Sequence, residues 1–101
     1  MRRAAKVDEN QKEIVAALRK AGISVQLLHA VGGGCPDALA GIPDGSNVLL
    51  EIKDGKKPPS ARKLTPAQVD WHAAWRGRVV VVTNVNEALQ ACGVAFREVS
   101  A

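Results

Sequence analysis

The fold is decided by the stretch from Val48 to Lys53, which reads VLLEIK. Its first half is apolar, its second half adds a carboxylate and an ammonium, and the turn-forming sequence PDGSN at 43–47 comes directly before it. This pattern predicts a buried strand that follows a tight turn. Because side chains alternate between the two faces of a strand, Glu51 and Lys53 point the same way and Ile52 points the other way. The polar pair is then either an ion pair where the strand meets solvent, or a metal ligand beside a general base or charge-stabilising amine.

A second strand is predicted over 37–42, and the turn joins it to the Glu51 strand as an antiparallel hairpin. Asp37 begins this strand, where an aspartate is either an ordinary turn residue or part of a site. In such a hairpin Asp37 and Glu51 can converge from neighbouring strands. Two carboxylates repel each other in a partly dry site unless a cation lies between them. The cation expected here is hard and prefers oxygen ligands, which indicates Mg²⁺ or Mn²⁺.

Hydrophobic periodicity and capping residues predict the remaining elements. In chain order these are a helix between Asp8 and Gly22, a strand over 24–29, a helix from 66 to near 77, a strand over 79–83, a short helix over 87–92, and an edge strand or surface segment over 94–99. Asp8 is predicted as the N-cap of the first helix, and the valine-rich strand as a central one. The order α-β-β-β-α-β-α predicts an α/β sandwich with a mixed sheet.

Composition limits the class of protein. The chain has 101 residues, and we expect a single domain over 8–101 preceded by a flexible basic arm at 1–7. Lys and Arg outnumber Asp and Glu by 14 to 10, a net charge of +4 that is compatible with a polyanionic partner. Cys35 and Cys92 show no metal-ligand spacing and are predicted to be reduced thiols. With no signal-peptide pattern and no long apolar stretch, we expect a cytoplasmic location and no membrane partner.

Two connecting segments are unusual in composition. The three glycines Gly32–Gly34 do not form a phosphate-binding loop, because no Gly-Lys-Ser/Thr sequence follows them and no helix begins there. They predict flexibility, or a close backbone approach by a ligand or a partner chain. The loop over 54–63 carries four cations against one acid, which is typical either of a phosphate-contacting loop or of a solvated linker.

The second predicted helix begins with strong capping signals. Thr65 is the predicted N-cap and Gln68 completes a capping box, a structural role that competes with any catalytic one. Trp71 and Trp75 are four residues apart and share one face, where core or dimer contacts are favoured over base stacking. His72 is predicted to be a surface histidine of this helix.

Three motifs carry a resemblance to a known family. The sequence PDALAG at 36–41, EIK at 51–53 and LTPAQVDW at 64–71 resemble the motifs of virus-type replication-repair nuclease (VRR-NUC) domains in the PD-(D/E)xK nuclease superfamily. The resemblance covers roughly residues 8–90 and implies an αβββαβ restriction-endonuclease-like core, with a mixed central sheet flanked by helices. It also implies a Mg²⁺- or Mn²⁺-dependent endodeoxyribonuclease without a small-molecule cofactor. Stand-alone domains of this kind, typical of phages and prophages, resemble Holliday-junction resolvases, which are small homodimers that cut branched DNA.

The resemblance also implies roles for individual residues. Asp37 and Glu51 would bind the metal, and the backbone carbonyl of Ile52 would be a further ligand. Lys53 would orient or activate the attacking water and stabilise charge on the phosphate. Gln68 would support this site from the second helix.

The first helix departs from the family pattern. Such nucleases often carry a glutamate about three residues before the first core aliphatic residue of this helix, and the present sequence has Gln11 there. Glu9 or Glu13 fills the position if the register differs. Glutamine can ligate a metal through its amide oxygen or through water but brings no charge, so the number of metal ions stays open.

The sequence therefore predicts a nuclease selective for four-way junctions or other branched DNA. Two alternatives stay open: a nuclease acting on linear, flap or nicked DNA, and a non-catalytic DNA-binding module with a relic site. A twofold dimer would supply two active sites for two strands, with the Gly32–Gly34 loop and the tryptophan-bearing helix as candidate contacts. The residues expected to contact DNA are Arg2, Arg3, Lys56, Lys57, Arg62 and Lys63.

Overall fold

The computed structural model describes residues 8–94, so the predicted arm at 1–7 and most of the predicted segment at 94–99 lie outside the described residues. The elements are α1 (Gln11–Lys20), β1 (Ser24–Leu27), β2 (Ala38–Gly41), β3 (Asn47–Ile52), α2 (Pro66–Ala74), β4 (Val79–Val82) and α3 (Val85–Ala91), with a 3₁₀ turn at Pro59–Arg62. This order confirms the predicted α/β fold class. None of the helices within residues 8–94 reaches the length and apolar character that crossing a bilayer requires.

The four strands form one mixed sheet in the order β1-β2-β3-β4. β2 pairs antiparallel with both β1 and β3, and β4 pairs parallel with β3. The prediction that β4 is central is wrong, because it is the last strand of the sheet within residues 8–94 and its Val81 is 39% exposed. The interior strands are β2 and β3, and the residues of β3 from Val48 to Ile52 are all buried. A run of valines indicates a strand, but it does not encode which neighbours that strand acquires.

The hydrophobic core lies between one face of the sheet and the two helices α1 and α3. Its large, fully buried side chains include Ile14, Leu18, Leu50, Ile52 and Val82. Each such side chain stabilises the fold by about 1.5–3 kcal/mol relative to leaving it exposed. Because side chains alternate along β3, Leu50 and Ile52 face this core while Glu51 faces the other side of the sheet, where α2 lies.

The start of α1 is fastened to the sheet by a side chain. The helix begins at Gln11 with Asn10 in the N-cap position, so the prediction that Asp8 caps it is wrong. The Asn10 side chain forms no cap but donates from Nδ2 to the carbonyl oxygens of Lys53 and Thr83, at 3.1 Å each. Lys53 and Thr83 are the residues that directly follow β3 and β4. Asn10 therefore fixes the beginning of α1 beside the ends of both strands.

Candidate active site

The β2–β3 hairpin sets the position of the two predicted metal-binding carboxylates. Ala38 pairs with Leu50, so the next position of the antiparallel ladder lies between Asp37 and Glu51. The Asp37 N–H donates to the Leu50 carbonyl at 3.0 Å, and Asp37 Oδ2 accepts from the Ile52 N–H at 2.6 Å. The Asp37 side chain lies near enough to Glu51 to raise the pKa of that carboxyl group. The hairpin therefore brings both carboxyl groups together on one side of the sheet.

Glu51 is an acid held almost entirely out of water, with a side chain that is 1% exposed. Burial raises the pKa of Glu51 to about 8, and the hydrogen bond and negative charge of Asp37 contribute to the rise. The Lys53 ammonium opposes this effect on the pKa, and Asp8 adds to it. At neutral pH Glu51 therefore retains its proton, unless a cation takes the place of that proton.

Gln68 links Glu51 and Lys53 to α2 and also caps that helix. Its Nε2 donates to Glu51 Oε2 at 3.1 Å, and its Oε1 accepts from Lys53 Nζ at 2.9 Å. The same Oε1 accepts from the Thr65 N–H at 2.9 Å, which completes the predicted capping box. Capping and support of the site are thus served by one side chain, and Lys53 is held on the same side of the sheet as Glu51.

His72 belongs to this cluster, so the prediction of a surface histidine is wrong. Its Nε2 lies 3.0 Å from Glu51 Oε1, and its side chain is 14% exposed. Burial lowers the pKa of His72, and the nearby Lys53 ammonium lowers it further. Since the pKa of Glu51 is raised, the contact is a hydrogen bond between uncharged groups at neutral pH rather than an ion pair. The spacing of the sequence is a signal that indicates this contact. His72 follows Gln68 by four residues, so the two side chains share one face of the helix.

A cavity of about 210 Å³ opens in front of the two carboxylates. Its lining residues are Asp8, His29, Gly32, Gly33, Gly34, Cys35, Asp37, Glu51, Ile52, Lys53, Thr65 and Gln68. Asp8, His29 and Cys35 carry no pattern in the sequence that marks them as site residues. Burial raises the pKa of the Cys35 thiol, and the charges of Glu51 and Asp37 raise it further, which keeps this thiol protonated.

The glycine loop forms one wall of this cavity by lying against α2. Gly34 has a φ of +88°, and a Cβ at this position would collide with the Ala67 carbonyl oxygen. The close backbone approach expected for these glycines therefore occurs within the chain, at the first turn of α2. Only a residue without a side chain fits there.

The cavity suits a hard divalent cation held by two carboxylates. Asp37 and Glu51 supply oxygen donors, and Ile52 presents its backbone to the cavity because its side chain belongs to the core. Residues 8–94 contain no cluster of three or more His, Cys, Asp and Glu side chains able to hold a metal ion. The two carboxyl groups of Asp37 and Glu51 nevertheless fit Mg²⁺. Proteins commonly bind this ion through one or two carboxylates, and water and substrate phosphate complete its octahedral coordination.

The first-helix candidates lie elsewhere. Gln11 is 4% exposed and lines a separate groove beside Leu27, and its Oε1 has no hydrogen-bond partner among the described residues. Glu13 borders a different cavity, and Glu9 is exposed. The acid from this part of the chain that lines the site is Asp8. Any contribution of Gln11 to catalysis stays a prediction.

The basic loop does not line the cavity of the site, and its Lys56 and Arg62 border a separate one. Lys56 and Lys63 are exposed, whereas Arg62 is half-buried and its Nε lacks a hydrogen-bond partner within residues 8–94. Lys57 Nζ lies 3.5 Å from Asp8 Oδ1, so this lysine reaches the edge of the cavity. Arg2 and Arg3 lie outside the described residues.

The two tryptophans of the second helical segment stack on each other, with ring centroids 4.7 Å apart and an interplanar angle of 19°. Trp71 is half-buried and Trp75 is 46% exposed, so Trp75 is not a core residue. Val69 and Val81 are also exposed, at 50% and 39%.

Comparison of the chain with protein-family models, curated proteins and solved structures gave no significant match.

Proposed function

We propose that this protein is a Mg²⁺- or Mn²⁺-dependent DNA endonuclease of the VRR-NUC type that hydrolyses phosphodiester bonds in branched DNA. The observation that carries the proposal is the convergence of Asp37 and Glu51 in a cavity that also holds Lys53. A buried carboxyl group with a second carboxylate beside it forms a site that a divalent cation would bind, because the cation offsets the repulsion between the two groups. The resemblance of the three sequence motifs supports the same assignment.

Each residue of the site has a role that its surroundings favour. Asp37 and Glu51 would hold the cation, which when bound lowers the pKa of water and neutralises charge on the phosphate. The Lys53 ammonium, held by Gln68 Oε1, is placed to orient the attacking water and stabilise the negative charge that develops on the phosphate. The exposed Lys56 and Lys63 would contact flanking phosphates, which positions the DNA backbone without reading its sequence.

The test is a panel of labelled DNA substrates under a series of cations. Four-way junction, flap, nicked and linear duplex DNA are incubated with Mg²⁺, Mn²⁺, Ca²⁺ or EDTA. We expect Mg²⁺-dependent cutting with the junction cut fastest. Lys53→Ala abolishes cutting and retains junction binding, and Lys20→Ala, an exposed lysine at the end of α1, leaves both unchanged. If linear, flap or nicked DNA is cut faster than the junction, that DNA and not the junction is the preferred substrate.

A non-catalytic DNA-binding module is the second candidate, and one observation favours it. Both Glu51 oxygens already accept or share hydrogen bonds, with Gln68 and His72, so the polar cluster is complete without a cation. If the protein binds junction DNA equally with and without divalent ions and cuts none of the substrates, the protein is a DNA-binding module and not a nuclease.

We also propose a homodimer, since symmetrical cutting of two strands needs two sites. Its support is three exposed apolar side chains on and beside α2 and on β4, Val69, Trp75 and Val81, which are 39% to 50% exposed. Sedimentation of the intact chain tests it, and Trp75→Ser is expected to shift a dimer toward monomer. A wild-type monomer at all concentrations would refute the dimer. Val31, which directly precedes the glycine loop, is 57% exposed, and a shift caused by Val31→Ser alone would assign the interface to that loop. The setting proposed for this activity is the cytoplasm of a bacterial host, with a phage or prophage origin.

A further inference from the structure

The Glu51 carboxylate is held at both oxygens by the same helix. Gln68 Nε2 lies 3.1 Å from Oε2, and His72 Nε2 lies 3.0 Å from Oε1. Gln68 and His72 are four residues apart, so their side chains leave neighbouring turns of one face of α2. Together they form a clamp on a side chain that is 1% exposed.

Hydrophobic burial does not explain why His72 points inward. No residue of α2 is fully buried, and Val69 on this helix is 50% exposed. The helix therefore contacts β3 through the polar groups of Gln68 and His72, and the backbone approach at Gly34 joins it to the glycine loop rather than to the sheet. The His72 side chain is only 14% exposed although α2 has no fully buried residue, and we attribute its inward orientation to the contact with Glu51.

One donor alone would leave the carboxylate free to turn. The terminal torsion of a glutamate is broad, so a single hydrogen bond fixes one oxygen but not the plane of the group. A second hydrogen bond on the other oxygen fixes that plane, and His72 supplies it as a donor to the Glu51 carboxylate when its ring carries a proton on Nε2. Gln68 is also engaged by Lys53 and Thr65, whereas no other polar contact of His72 is seen within residues 8–94.

We propose that His72 is a positioning residue that fixes the plane of the Glu51 carboxylate so that it binds a divalent cation together with Asp37. This inference rests on the proposed metal-dependent function. Partners of this kind, which orient a metal ligand without touching the metal, typically change metal affinity by about 10- to 100-fold when removed. The effect acts through ligand geometry, so it appears in cation binding before any DNA is added.

The experiment measures Mn²⁺ binding to the intact chain by calorimetry, together with the metal-free melting temperature and the kcat and KM for DNA cleavage. His72→Phe keeps a flat ring beside Trp71 but removes the donor, and His72→Gln restores a donor of similar reach. We expect His72→Phe to weaken Mn²⁺ binding by about 10- to 100-fold and His72→Gln to recover most of the loss. Asp70→Asn, an exposed neighbour on α2, should bind Mn²⁺ like the wild type.

The outcomes separate this inference from the function on which it rests. If the wild type binds Mn²⁺ and cuts DNA while His72→Phe matches it in Mn²⁺ affinity and kcat, the positioning role is refuted and the nuclease stands. If His72→Phe and His72→Gln lose Mn²⁺ affinity equally and melt equally early, His72 is a structural residue and the positioning role is refuted. If the wild type neither binds Mn²⁺ nor cuts any substrate, both the nuclease and the positioning role fail.

Discussion

Replacing Glu51 with glutamine should make the metal-free protein less sensitive to rising pH. Burial raises the pKa of Glu51 to about 8 in the folded protein, against 4.5 for the ordinary side chain. The folded state therefore keeps a proton that the unfolded chain releases over this range. Folding stability then falls as the pH rises from 4.5 toward 8, and it levels off above the folded pKa. Glu51→Gln, which is uncharged at every pH, escapes this loss.

The size of the effect follows from the same window. Each pH unit within it costs about 1.4 kcal/mol of the free energy of unfolding, so the wild type should lose about 3 kcal/mol relative to Glu51→Gln between about pH 5 and about pH 7. The assay is urea unfolding in EDTA at a series of pH values, followed by the fluorescence of Trp71 and Trp75. Glu9→Gln, which changes an exposed acid, is the control and should track the wild type. A wild-type curve that stays parallel to that of Glu51→Gln at all pH values would refute the burial of an ionisable Glu51 beside Asp37.

Two further substitutions test how the walls of the site are built. Gly33→Ala, at a φ of +67° with open space around the new Cβ, should cost about 1–2 kcal/mol of unfolding free energy. Gly34→Ala should cost about 1–3 kcal/mol more in the same urea titration, because its Cβ meets the Ala67 carbonyl; equal losses would contradict this contact. Asn10→Ala should cost about 1–3 kcal/mol because it removes both hydrogen bonds and leaves the Lys53 carbonyl without a donor, although the Thr83 carbonyl still accepts from the Gly55 N–H. The exposed Asn86→Ala should be neutral, and equal stability of the two variants would refute the fastening of α1 to the strand ends.

The part of the site built on the hairpin could be predicted from the sequence because its signals are local. The turn at 43–47 and the alternation along β3 fix which residues of β2 and β3 meet, and therefore place Asp37 beside Glu51. The position of Gln68 could be predicted from the capping box, because that motif makes Thr65 the N-cap of α2 and Gln68 the third residue of the helix. Lys53 follows from Glu51 by the two-residue period of a strand.

The remaining contacts depend on how distant segments dock, and the sequence carries no comparable signal for them. The inward orientation of His72 follows from the way α2 lies on the polar side of β3, and that docking involves few apolar residues that a periodicity could reveal. Asp8 reaches the cavity because α1 begins later than its capping pattern predicts, which frees this residue from the helix. Gln11 keeps the predicted helix position but borders a different groove.

The most direct test of the central claim, that Asp37 and Glu51 jointly hold a cation for phosphodiester hydrolysis, is cleavage of a labelled four-way junction by the wild type, Asp37→Asn and Glu51→Gln during a Mg²⁺ titration. Junction binding is measured in parallel in Ca²⁺, so that a loss of cutting is not confused with a loss of binding. We predict that the wild type cuts only when Mg²⁺ is added, and that either single substitution abolishes cutting while the junction is still bound. Cutting that persists in Asp37→Asn or in EDTA, or a wild type that binds the junction without cutting it, would contradict the account.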